Sequence, residues 1–120
     1  MKVSVLGCGG SSGVPALGGP DGHGQWGACD PAEPRNRRSR ASIFLRMEDG
    51  CGVLVDTGPD LRAQLLAHGI SAFENVIYTH THADHVSGPD ELRGINRQIG
   101  KAITAYGTAA VLGELQERFA

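Results

Sequence analysis

No apolar run in these 120 residues comes near the ~18 needed to cross a bilayer. The opening Met1-Lys2-Val3-Ser4-Val5-Leu6-Gly7 has neither the long apolar core nor the cleavage site of a secretory leader. A cytoplasmic protein without membrane partners is therefore expected. Cysteine is scarce: Cys8, Cys29 and Cys51 are odd in number, far apart, and form no C-x-x-C pair. That argues against a disulfide framework and for a reducing compartment. Cys8 and Cys51 are expected to be small buried hydrophobes. Charge of one sign is also lacking. Lys and Arg number 11 against 13 Asp and Glu, a net charge of −2, so nothing pulls the whole chain toward nucleic acid or an anionic membrane. The glycine-rich stretch after Leu6 lacks the Gly-Lys-Ser/Thr ending of a P-loop, which excludes that route to nucleotide binding. Histidine is absent after His85.

What is present is ordinary in bulk. Hydrophobic residues make up 40% and charged residues 20%, as in a soluble globular chain. The length suits a single small domain with a modest core. The unusual stretch is Thr79-His80-Thr81-His82-Ala83-Asp84-His85. It follows Asn75-Val76-Ile77-Tyr78, which reads as a buried strand, and precedes Gly88-Pro89-Asp90-Glu91-Leu92, which reads as a helix start. A strand-to-helix loop is where an α/β fold places its chemistry. If the strand runs on to His82, His80 and His82 point to one side, because side chains alternate along a strand. Two imidazoles on one side can grip an ion, while Asp84 and His85, past the turn, can face a second. Imidazole with carboxylate suits zinc, and also manganese or iron. Two such ions can activate water and clamp an oxyanion. The plainer alternative is a polar loop whose histidines cap a helix or face solvent.

Along the chain, Lys2-Val3-Ser4-Val5-Leu6 alternates and reads as a first strand. From Gly7 to about Asn36 there is a long Gly- and Pro-rich loop without periodicity, of the kind that is usually functional or mobile. Its glycines would let backbone N–H groups approach an anion, or simply form a tight turn. Trp26 either lines a pocket or pins the loop, and His23 is expected in solvent. Arg35-Asn36-Arg37-Arg38-Ser39-Arg40 is the one basic run. The guanidinium fork matches phosphate, so Arg37, Arg38 and Arg40 are candidates for a substrate phosphate or a single RNA strand. The alternative is a charged strand edge, with ion pairs to Glu48 or Asp49. Residues 41–47 and 51–55 read as two strands joined at Asp49-Gly50, a hairpin signal. Pro59 and Asp60 open a helix with Leu61, Leu65 and Leu66 as its apolar stripe, stopped by Gly69 after His68. His68 reads as a cation at a helix C-terminus. A helix over 89–99 carries Leu92, Ile95 and Ile99. A strand over 102–106 follows, and then a helix capped by Thr108 with Val111, Leu112, Leu115 and Phe119 as its stripe. Strands first, then alternating helix and strand, imply an α/β layered domain.

His80-Thr81-His82-Ala83-Asp84-His85 resembles the H-x-H-x-D-H signature of the metallo-β-lactamase fold hydrolases. Within that superfamily the chain is similar to the PhnP-like phosphodiesterase branch. The stretches Gly7-Cys8-Gly9-Gly10-Ser11-Ser12-Gly13-Val14-Pro15, Arg37-Arg38-Ser39-Arg40-Ala41-Ser42, Val55-Asp56-Thr57-Gly58-Pro59-Asp60 and Asp90-Glu91-Leu92-Arg93 carry that likeness. The resemblance implies an αββα sandwich and a dinuclear site for two divalent metal ions, zinc or manganese, with iron compatible. It implies His80 and His82 as ligands of one ion and Asp84 and His85 of the other, with Asp84 also the residue on which catalysis depends. A metal-bound hydroxide would attack phosphorus in a cyclic or nucleotide phosphodiester. Asp56 would sit behind the ligands and hold the second ring nitrogen of a histidine, or else be a carboxylate at a helix start. Relatives also carry a structural zinc in the loop around residues 25–30. With Cys29 the one cysteine of that loop, no such site is expected here.

The family draws further ligands, a His, a bridging Asp and a last His, from a second half. The 120 residues therefore read as one partial domain, the N-terminal half of the fold. Alone it is expected to be catalytically poor, and to self-associate or to need a C-terminal half, because Leu92, Ile95, Val111 and Leu115 would lack their cover. Two other readings remain open. One is a metal-binding protein without catalysis, a fragment or a PqqB-type relative in cofactor biosynthesis. The other is a phosphate- or RNA-binding module built on the arginine run.

Overall fold

The computed structural model describes residues 1–119. Ala120, expected to continue the last helix, lies outside the described residues. Five strands form one sheet in the order β1-β2-β3-β4-β5. They are β1 (Lys2–Gly7), β2 (Ser42–Arg46), β3 (Gly52–Val55), β4 (Asn75–Ile77) and β5 (Thr104–Tyr106). The first three pair antiparallel. The β2–β3 connection is the tight turn at Asp49-Gly50, where Gly50 takes φ 88°, open to glycine without steric cost. β3–β4 and β4–β5 are parallel. Parallel neighbours need a crossover, which α1 (Leu61–His68) supplies first, and α2 (Ala83–Val86) with α3 (Leu92–Ile99) second. The last helix is α4 (Ala109–Phe119).

Strand periodicity divides the sheet into two faces. Ser4, Phe44, Leu54, Val76 and Ala105 are in register across it. That face carries the core: Leu6, Phe44, Leu54 and Val76 pack with Leu61 and Leu65 of α1, with Phe73, and with Ile95 of α3. Phe73 meets Phe44 edge-on at 5.6 Å between ring centroids. Leu92, Ile99, Val111 and Leu115 lie against the same cluster. The expectation that Leu92, Ile95, Val111 and Leu115 would be left bare is thus corrected, since α3 and α4 fold back onto the sheet. The open apolar surface is the other face. There Val5, Ile43, Val55, Ile77 and Tyr106 form a row across all five strands, and Val5, Ile77 and Tyr106 are exposed.

Several boundaries differ from the sequence reading. β2 loses one residue at each end, β3 starts one residue later at Gly52, and β5 starts at Thr104. The helix expected over 89–99 begins as a short 3-10 turn, Pro89–Glu91, before α3. Leu66 is 65% exposed, so the α1 stripe is Leu61 and Leu65 with Gln64 between them. Gly69 does end α1 in the left-handed region at φ 64°, and Thr108 Oγ1 accepts the Val111 N–H at 3.2 Å as the cap of α4. Cys8 is exposed and Cys51 half-buried, against the expectation that both are buried, and all three cysteines are free thiols. Cys8 lies just past the end of β1, where the chain has left the sheet.

Candidate metal centre

The histidine stretch leaves the sheet earlier than an extended strand would. β4 ends at Ile77, so strand alternation does not align His80 with His82, and the loop brings them together instead. Tyr78 is held by its N–H to Tyr106 O at 2.8 Å. The chain then turns, and His82, with extended φ −60° and ψ 143°, precedes the one-turn helix α2 that carries Asp84 and His85. The His80 ring centroid is 4.6 Å from that of His82 and 4.1 Å from that of His85. Asp84 Oδ2 lies 3.3 Å from His85 Nε2. All four side chains therefore crowd one end of the parallel strands.

Asp56 anchors this cluster from below. It follows β3, is 3% exposed, and has φ 64°, a left-handed conformation that Asp adopts more readily than most residues. Its N–H donates to Ile77 O at 2.9 Å, which ties the end of β3 to the end of β4. Its Oδ1 accepts the Thr79 N–H at 2.8 Å. Its Oδ2 accepts the Thr79 hydroxyl at 2.6 Å and faces His85 Nδ1 at 2.8 Å. A carboxylate has no proton to give, so His85 Nδ1 carries the hydrogen towards Asp56, and Nε2 is the nitrogen that faces Asp84. Thr79 Oγ1 also meets His80 Nδ1 at 2.8 Å.

The neighbouring backbone closes round the same point. Thr57 N–H donates to His85 O, and Gly88 N–H to Thr57 O, both at 2.8 Å. A Cβ at Gly58 would come within 2.7 Å of Asp84 O, so glycine there lets the β3–α1 loop lie directly against α2. Beneath, the Thr57 hydroxyl and the Tyr78 phenol share a 3.0 Å hydrogen bond. Burial pushes the Tyr78 phenol above its ordinary value, against the opposing effect of the Thr57 bond and with help from the Asp56 charge. Farther out, Arg118 Nη1 donates to Thr81 O at 3.0 Å, joining α4 to the histidine loop.

Asp56, His80 and His85 each bring a ligand atom within 4.8 Å of the others, a candidate metal site. Both oxygens of Asp56 already accept hydrogen bonds from Thr79 and His85. The remaining candidate donors are ring nitrogens of the histidines and Asp84, whose Oδ2 lies 3.3 Å from His85 Nε2. That set, neutral imidazole plus carboxylate, matches a borderline divalent ion.

The arginine run lies beside α1 and residues 13–15 of the long loop. Arg40 pairs with Asp60, not with Glu48 or Asp49: its backbone N–H donates to Asp60 Oδ2 at 2.8 Å, and Nε stands 2.9 Å from the same oxygen. The Nε–H is not aimed at that oxygen, so the side-chain contact is an ion pair by proximity. Arg37 stacks its guanidinium 5.0 Å over Trp26, which gives Trp26 the loop-pinning part. Arg38 exchanges both backbone hydrogen bonds with Val14 at 2.9 Å. Together they border an open groove of about 630 Å³ with Pro15, Gln64 and His68. His23 is exposed in the long loop, its N–H donating to Asp21. His68 ends α1. The residue that sequence reasoning passed over is Thr79. Its signal was available, a hydroxyl directly before the first histidine, but only the fold shows that it touches Asp56.

The profile of the beta-lactamase superfamily domain matches residues 52–120. Among solved structures, a diphosphatase from the PhnP family superposes with a TM-score of 0.84 at 37% identity, covering 98% of this chain and 45% of that one. The zinc-bound PqqB of Methylobacterium extorquens shares the fold, with a TM-score of 0.72 at 24% identity over 98% of this chain and 40% of its own. An octanoyltransferase of Porphyromonas gingivalis is 33% identical over 118 residues, 98% of this chain and 23% of that protein. The chain thus spans less than half the length of each of these relatives.

Proposed function

Because the chain belongs to the beta-lactamase superfamily, we propose that it forms the metal-binding half of a metal-dependent hydrolase acting on phosphodiesters, cyclic or nucleotide. The observation that carries this reading is the Asp56–His80–His85 cluster, whose ligand atoms lie within 4.8 Å of one another, with Asp84 Oδ2 3.3 Å from His85 Nε2. His80 and His82 hold one divalent ion, and Asp84 and His85 a second, zinc or manganese. Asp56 supports the ligands from behind, since its carboxylate fixes the His85 ring. Ions bound there supply Lewis acidity, both to activate water and to stabilise charge on phosphoryl oxygens. The likeness to a PhnP-family diphosphatase favours a phosphorus–oxygen bond as the one cleaved. Arg37, Arg38 and Arg40 are proposed to meet the substrate phosphate from the groove beside α1. The apolar row Val5, Ile43, Val55, Ile77 and Tyr106 is the surface through which the chain self-associates or meets the remainder of a longer domain.

The test is hydrolysis of bis-p-nitrophenyl phosphate by the zinc- or manganese-loaded polypeptide that carries this chain, as wild type and as Asp84→Ala. Metal-dependent turnover that disappears in Asp84→Ala supports the hydrolase. Stoichiometric metal with no turnover of phosphodiester or diphosphate assigns the chain to the non-catalytic alternative. The resemblance to zinc-bound PqqB gives that second reading its footing.

A further inference from the structure

We propose that Thr79 is a positioning residue that fixes His80 as the tautomer protonated on Nδ1, leaving the Nε2 lone pair free for an ion. The argument is a proton count. Three contacts converge on two oxygens: Thr79 Oγ1 to Asp56 Oδ2 at 2.6 Å, His85 Nδ1 to the same Oδ2 at 2.8 Å, and His80 Nδ1 to Thr79 Oγ1 at 2.8 Å. An ionised carboxylate accepts only. Two oxygens 2.6 Å apart need a hydrogen between them, and the threonine hydroxyl is the group with one to give. Its single hydrogen is then committed to Asp56. At the His80 contact the hydroxyl can only accept, so the hydrogen there belongs to His80 Nδ1. The other end of Thr79 is pinned as well, because its backbone N–H donates to Asp56 Oδ1 at 2.8 Å.

One buried carboxylate thereby sets the protonation pattern of two histidines. It acts on His85 directly and on His80 through one hydroxyl. Orienting partners of this kind commonly change metal affinity by about 10–100-fold when removed. Free neutral imidazole favours the proton on Nε2, so without Thr79 the His80 ring would present a hydrogen where an ion needs a lone pair. The inference rests on the metal-centre reading for its purpose, but the tautomer itself can be read without metal.

The experiment compares wild type, Thr79→Val and Thr79→Ser. Valine keeps the shape and removes the hydroxyl, and serine restores it. Long-range nitrogen–proton NMR spectra of the metal-free protein, at a pH of about 8 where ordinary histidine is neutral, report which His80 nitrogen carries hydrogen. Wild type and Thr79→Ser should show Nδ1–H, and Thr79→Val should shift to Nε2–H. Zinc titration should show an affinity about 10–100-fold lower in Thr79→Val, regained in Thr79→Ser. Wild-type His80 protonated on Nε2 overturns the proposal, as does a folded Thr79→Val with an unchanged tautomer. Should Thr79→Val fail to fold, the wild-type and Thr79→Ser spectra decide alone. Nδ1–H on His80 in a protein that binds no zinc would uphold the tautomer assignment and sink the metal-hydrolase reading.

Discussion

Replacing Asp56 by Asn changes one atom type at a site where the backbone can stay as it is. The residue has φ 64°, and Asn tolerates the left-handed region as Asp does, so the effect isolates the side chain. Asp56 accepts three hydrogen bonds, two of them on Oδ2. If the Asn oxygen keeps the Thr79 N–H, its NH2 group stands where Oδ2 was and faces the His85 N–H donor against donor, while the Thr79 hydroxyl must turn its hydrogen away to accept. Bonds to a charged group contribute about 1.5–3 kcal/mol each, so losing two costs about 3–6 kcal/mol. A switch of the His85 tautomer and a turn of the Thr79 hydroxyl restore two neutral bonds, about 1 kcal/mol each. The net expectation is a loss of about 1–4 kcal/mol, a substantial part of the ~5–15 kcal/mol that holds a domain folded. Urea unfolding measures it, as a lower midpoint at unchanged slope. Asp56→Ala should fall further, because it adds a left-handed backbone cost of about 1–2 kcal/mol. An Asp56→Asn protein within about 0.5 kcal/mol of wild type, the range of neutral surface changes, would refute the anchoring role.

Three other outcomes follow from the same structure. Gly58→Ala puts a methyl 2.7 Å from Asp84 O, an overpacking expected to cost about 1–3 kcal/mol in urea unfolding and to weaken zinc binding by displacing α2; unchanged stability and affinity would show that the loops do not need this contact. Gly94→Ala, in α3 with open space around the added Cβ, should stabilise by about 1 kcal/mol, and a loss would mean that α3 packs differently. Tyr78 has its pKa raised by burial in the folded state. The unfolded phenol therefore ionises first, and stability that is complete below pH about 10 should fall as pH rises through that value. Tyr78→Phe should flatten this alkaline decline in urea midpoints, and an equally steep decline would place its origin elsewhere.

Much of this arrangement was readable before folding because local physics wrote it. The hairpin at Asp49-Gly50, the stop at Gly69 and the Thr108 cap each depend on residues within a few positions, and each lies where expected. The α/β order of elements followed from periodicity, and the family from the His80–His85 signature. What could not be read depends on distant partners. Arg40 finds Asp60, 20 positions on, not Glu48, which is nearer in the chain. His80 and His82 meet by a loop turn after β4 ends at Ile77, where strand alternation would have aligned them. The Asp56 carboxylate reaches Thr79, 23 positions on, a pairing set by parallel registration of β3 with β4. Cys8 was expected inside from its residue type, but the long loop carries it into solvent.

The most direct test of the metal centre is elemental analysis of zinc-loaded protein as wild type, His80→Ala, His82→Ala and His68→Ala. His80 and His82 sit with rings 4.6 Å apart, whereas His68 ends α1, outside the cluster. A site with so few protein ligands does not tolerate the loss of one. Bound zinc should therefore drop in His80→Ala and in His82→Ala and hold at the wild-type level in His68→Ala. Wild-type zinc content in both His80→Ala and His82→Ala would contradict the assignment of this loop as the metal centre.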